Sequence, residues 1–131
     1  MQKNDTVRQS VEQKLYELEM IFSEAAVPMF VIDRNHKISH FNRACEALTG
    51  FTKEEMIGTD NQWKAFYSKK RPVLADLIVD NASQAEFAEY YGNKLSSSLF
   101  ENVSYTAEDY FPDLGEEGKW LYFTAAPIKD Q

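Results

Sequence analysis

The stretch Pro28-Met-Phe-Val-Ile-Asp-Arg-Asn-His-Lys-Ile-Ser-His-Phe-Asn-Arg-Ala-Cys-Glu-Ala-Leu-Thr-Gly-Phe51 decides the fold. Pro28 ends any helix that precedes it, because its ring clashes with a preceding helical turn and it lacks the N–H a helix needs. Met29 to Asp33 then reads as a strand, Asp33-Arg34-Asn35-His36 as a polar turn, and Lys37 to Phe41 as a second strand. The pair makes a β-hairpin with a short connection. Strict alternation puts Ile38 and His40 on one face and Ser39 and Phe41 on the other. Asn42 is placed to N-cap a helix over Arg43 to Leu48, and Gly50 to end it in a left-handed cap.

Upstream of this core, Val7 to Phe22 reads as an amphipathic helix. Val11, Leu15, Leu18 and Phe22 recur at intervals of four, three and four, which makes one narrow apolar stripe between charged flanks. So narrow a stripe suits a seam against another helix; the competing reading packs it on its own domain. Residues 1–24 are therefore read as an N-terminal signalling or dimerisation helix, and residues 25–131 as the domain proper.

Downstream, Thr52 with Glu55 forms a capping-box pattern for a short helix that Gly58 closes. Thr59 to Arg71 is irregular and rich in aromatic and basic side chains. Pro72 suits the first turn of a helix whose apolar face is Val73, Leu74, Leu77 and Ile78, with Asp76 and Asp80 elsewhere on it. Ser83 with Glu86 starts another helix, Gln84 to about Tyr91, and Gly92 stops it. The period then changes. Val103 to Phe111 and Lys119 to Ile128 read as strands joined by the turn-rich loop Pro112 to Gly118. The order of elements is that of a single α+β domain, as its 131 residues allow.

A formal charge of −7 and a pI near 4.8 repel phosphate backbones and anionic lipid, which argues against nucleic-acid and membrane-surface partners. The one basic cluster, Lys69-Lys70-Arg71, is too short to reverse that. A single cysteine, Cys45, excludes an internal disulfide and a thiolate metal cluster. Met1 to Ser10 is polar, and the longest apolar run, Ala25 to Ile32, is short and interrupted by Pro28. These features give the expectation of a soluble, cytoplasmic domain.

The quoted stretch resembles the opening of a PAS domain: a strand ending in Asp33, a strand entering Asn42, an Asn-x-Ala helix start, and Gly50 followed by an aromatic. Glu55-x-x-Gly58 fits the next PAS helix, Val73 to Asp80 the longer one beyond, and Trp120 to Lys129 resembles the penultimate strand of the sheet. The segments Gln62-Trp-Lys and Arg71-Pro-Val-Leu-Ala-Asp-Leu-Ile look like a subgroup found in bacterial sensor proteins. The resemblance covers Ile21 to about Lys129. It implies a five-stranded antiparallel sheet with helices on one face, a cavity between them, and output through terminal helices. It also implies one more strand after Pro127-Ile-Lys-Asp, so the expectation is that the last strand is missing and the domain is cut from a longer protein.

Candidate chemistry is sparse. His36 in a turn and His40 on a strand are spaced by four, which on a strand separates them by about 13 Å and argues against a metal pair. Cys45 reads as a small packing residue. Flavin-binding relatives carry their cysteine in Asn-Cys-Arg-Phe-Leu-Gln, which is absent here, and the helix that supplies a haem ligand in haem-binding relatives has no histidine; both cofactors are disfavoured and none is assigned. With no Gly-rich phosphate loop and no catalytic constellation, the domain is read as non-catalytic. The positive candidates for a ligand pocket are Trp63, Phe66, Tyr67, His40 and Arg71, with Lys64 beside them, fit for a small anionic or aromatic ligand; packing of these rings in the core is the favoured reading. The functional expectation is a sensory input domain of a larger bacterial signalling protein, attached to an output such as a kinase or cyclic-dinucleotide enzyme. It would bind a small ligand or partner and relay the change through a homodimer of N-terminal helices. The alternative is a ligand-free dimerisation or relay module.

Overall fold

The computed structural model describes residues 2–97 and 104–128. Val103 and Lys129, at the ends of two expected elements, lie outside the described residues. The chain is mixed helix and strand in the order expected: α1 (Gln2–Glu24), β1 (Phe30–Ile32), β2 (Ile38–Phe41), α2 (Arg43–Thr49), α3 (Lys53–Met56), a 3₁₀ turn (Asn61–Ala65), α4 (Leu74–Val79), α5 (Gln84–Tyr91), a second 3₁₀ turn (Gly92–Lys94), β3 (Leu95–Ser97), β4 (Tyr105–Phe111) and β5 (Lys119–Ala125).

The local signals were honoured where their partners are close in sequence. Asn42 takes extended backbone angles and its side chain accepts from Cys45 N–H, while Gly50 ends α2 at φ 80°. The Thr52–Glu55 and Ser83–Glu86 capping boxes are both formed. Asn42 does more than cap. Its Oδ1 also accepts from Met29 N–H at 2.9 Å, and its Nδ2 donates to the carbonyls of Phe22 at 3.2 Å and Val27 at 2.9 Å. One buried amide therefore ties the end of α1, the linker, the start of β1 and the start of α2.

Three expectations are corrected. First, β2 does not alternate. Its register against β1 pairs Val31 with His40 and Ile32 with Ile38, so Ser39 is the extra residue of a bulge. The bulge puts Ile38 and Phe41 both in the core and leaves His40 exposed. Second, the single five-stranded sheet is two antiparallel sheets, β1-β2 and β3-β4-β5. Third, a strand stands where none was expected. Leu95–Ser97 pairs with β4 through Leu95–Ala107, Ser96–Thr106 and Ser97–Tyr105. With it the described residues hold five strands, of which Lys119–Ala125 is the fifth.

Two apolar clusters form the core. Ile38, Phe41, Cys45 and Met56 pack under the hairpin with Phe30, Ile32 and Phe51. Leu74, Leu77, Phe87, Tyr91 and Ala107 pack between α4, α5 and the second sheet. Phe66 joins them, its ring 6.3 Å from that of Phe30 and 5.6 Å from that of Phe111. The free edge of β2 is covered: Ile38 N–H donates to Thr59 and Gly58 N–H donates to Ile38, each at 2.8 Å.

Candidate functional site

A cavity of about 1350 Å³ lies where the two sheets meet. Phe30 to Ile32 of β1, Leu121 to Ala125 of β5, and Leu74, Ala75, Ile78 and Val79 of α4 contribute its walls, and Phe22 at the end of α1 reaches it. The 3₁₀ turn aims two more rings at it. Phe66 and Tyr67 N–H groups both bond back to Trp63 carbonyl, at 3.0 and 2.7 Å, which turns the chain so that both rings line the cavity. The lining is mostly aliphatic and aromatic, with Asp33, Arg34, Ser39 and Asp80 as polar members. An apolar chamber with a few polar groups is the usual form of a small-molecule site.

Of the five candidate pocket residues, Phe66 and Tyr67 line the cavity; Trp63, His40 and Arg71 do not. His40 sits on the outer side of β2 with its ring edge-on to Phe22 at 5.6 Å. Arg71 stacks on Tyr67 with its guanidinium carbon 3.8 Å from the ring centroid, and Tyr91 and Tyr90 stand at 5.0 and 5.2 Å. Its Nη2 has no hydrogen-bond partner among the described residues, so these ring faces are its main company. The Tyr67 hydroxyl donates to that of Tyr91 at 3.4 Å, and burial pushes the pKa of both phenols up, so both stay neutral. Lys64 lies over Trp63 at 5.7 Å. On α1, Val11, Leu15 and Leu18 are exposed, while Phe22 is half-buried.

Cys45 touches the cavity but is buried, and desolvation, with a smaller push from Glu46, raises its thiol to about 12. It therefore has no thiolate to offer at neutral pH. The described residues hold no cluster of three or more potential metal ligands.

The sequence reading weighed His36 only as half of a metal pair. Its ring lies between two carboxylates of α4, Nδ1 2.7 Å from Asp76 and Nε2 2.7 Å from Asp80. Asp76, read only as lying off the apolar face of α4, is buried. Its Oδ2 accepts from Val73 N–H at 2.9 Å, and its Oδ1 accepts from Gln62 Nε2 at 2.8 Å. The available signal was the spacing of Asp76 and Asp80, four apart and so on one helix face.

Residues 16–60 match the model of the PAS fold family. The match supports a PAS domain. The match takes in the end of α1, the hairpin, α2 and α3, the part of the chain where bulge, cap and capping box set the backbone. Comparisons with curated proteins and with solved structures gave no significant match. A PAS domain is a signal-sensing module and is generally non-catalytic. No helix among the described residues is long and apolar enough to cross a membrane.

Proposed function

We propose that this PAS domain is the input module of a larger bacterial signalling protein in the cytoplasm, taking a small, largely apolar ligand into the cavity between the two sheets. A homodimer seam on α1 would carry the response to an output domain. The observation that carries the reading is the position of Phe22. It belongs to the apolar stripe of α1, lines the cavity, and has its carbonyl held by Asn42. A ligand in the cavity thus meets the helix that leaves the domain, so differential contact with Phe22 can bias the position of α1. Phe66 and Tyr67 are the proposed ligand-facing rings; Trp63, Arg71 and His40 would support them from outside the cavity.

The stripe itself supports a second reading, a dimerisation module that needs no ligand. Val7, Val11, Leu15 and Leu18 are each more than half exposed, an apolar surface that one copy leaves in water. Native mass spectrometry of the freshly purified chain separates the two readings. Added mass on the folded chain, lost on denaturation, is the expected result. A bare mass, monomer or dimer, moves the assignment to the dimerisation module.

A further inference from the structure

His36 stands at the tip of the β1–β2 hairpin with φ +64°, a left-handed conformation in which histidine is one of the few enriched side chains. Its N–H donates to Asp33 carbonyl at 3.0 Å, and its own carbonyl accepts from Gln62 Nε2 at 2.9 Å, so the backbone on both sides of the ring is fixed. The ring then meets Asp76 near the start of α4 and Asp80 at its end, at 2.7 Å on each nitrogen. An ionised carboxylate only accepts, so each contact requires an N–H on the ring. Neutral imidazole carries one N–H and imidazolium carries two. With both carboxylates ionised, the geometry fits the imidazolium.

We propose that His36 is a proton-operated latch at the rim of the cavity: protonated, it ties the hairpin to both ends of α4; deprotonated, it keeps Asp76 and releases Asp80. The choice between the two carboxylates follows from their surroundings. The Asp80 side chain is 56 % exposed, so water replaces the lost donor, whereas the Asp76 side chain is 10 % exposed and would be left short of a donor in the interior. The neutral ring therefore keeps its proton on Nδ1. Asp33, Arg34 and Asp80 all border the cavity, which places the releasing contact at its mouth.

The charged groups that meet the ring are Asp76 and Asp80 from α4; Asp33, Arg34 and Lys37 flank His36 along the hairpin, and Asp60, in the loop after α3, has its carboxyl held below the usual range by Lys70 first and then Lys37. Among these side-chain types only histidine ordinarily changes charge between pH 5 and 8. The hydrogen bond from His36 Nδ1–H to Asp76, opposed by partial burial and reinforced by Asp80, raises the His36 pKa above its usual 6.5. A raised folded-state pKa means that the contribution of the latch is full below 6.5 and is lost as pH rises through the folded value. The latch is thus closed in acid and opens on the alkaline side.

The test is a pH titration of the full chain labelled with ¹⁵N-histidine, with amide protection of Leu77 to Asn81 measured alongside and corrected for the intrinsic rise of exchange with pH. We expect a His36 midpoint above 6.5, the Nδ1–H tautomer above it, and a loss of protection that follows the same midpoint. In Asp80→Ala the midpoint moves down, and protection of Leu77 to Asn81 is low at every pH while the rest of the domain keeps its own. A midpoint at or below 6.5, an Nε2–H tautomer at high pH, or protection that ignores the titration overturns the proposal.

Discussion

Replacing Asn42 by Ala should be among the most damaging single changes to this domain that remove no apolar bulk. The side chain is 1% exposed and makes four hydrogen bonds, to Met29, Cys45, Phe22 and Val27. Loss of an N-cap costs about 1 kcal/mol. The partly buried N–H of Met29 loses its acceptor and adds up to about 1–2 kcal/mol, depending on how well water replaces it. The carbonyls of Phe22 and Val27, each with a second lone pair, add less. The sum is about 3 kcal/mol, which for a domain of this size is a fall in Tm of about 10 °C. Urea unfolding followed by circular dichroism measures it, with an unchanged slope showing that the unfolded state is not the cause. Asn42→Asp separates the two halves of the amide: it keeps the contacts to Met29 and Cys45 and turns the donor facing Phe22 and Val27 into a repelling oxygen. We expect α2 to persist in that variant while α1 loses its tether. A loss below about 0.5 kcal/mol in Asn42→Ala, the range of an ordinary surface change, would refute the assignment of Asn42 as the junction.

Two further outcomes test the helix and the cavity wall. Replacing Leu15 and Leu18 together by Glu should weaken self-association in sedimentation or light-scattering measurements and leave the fold intact, since both are exposed on the single chain; an unchanged oligomer removes α1 from the interface. Phe66→Ala should cost about 2–3 kcal/mol in chemical denaturation, at or below the low end for a core Phe because the ring is half-buried and faces the cavity; unchanged stability would show that the ring bridges nothing.

How much of this was legible depended on distance along the chain. The hairpin, the Asn42 cap, both capping boxes and the Gly50 stop were readable because each is completed within a few residues. Leu95–Ser97 was not, because three residues carry no period and become a strand only by pairing with β4. The Ser39 bulge was hidden because alternation assumes a regular ladder, and the ladder is broken to bury Ile38 and Phe41 together. The His36 contacts span 40 and 44 residues, and a pattern scan of either segment by itself shows only a polar turn and two carboxylates off an apolar helix face. For the candidate site, the concentration of rings after Asn61 pointed to Phe66 and Tyr67. It could not separate them from Trp63 and Arg71, since which ring meets the cavity is set by the 3₁₀ turn. The walls given by α4 and β5 read simply as core.

Among the described residues the two sheets share no strand pairing; a run of rings, Phe30 to Phe66 to Phe111, spans the gap at 6.3 and 5.6 Å. A ladder of backbone bonds holds neighbouring strands at about 4.8 Å and fails as a unit when pulled apart. Ring contacts stay favourable over centroid separations of about 4.5–7 Å, so this joint has play in both directions. It works like the jaws of a caliper. The spacing of the halves can follow the thickness of whatever lies between them, with every hydrogen bond in both sheets left whole.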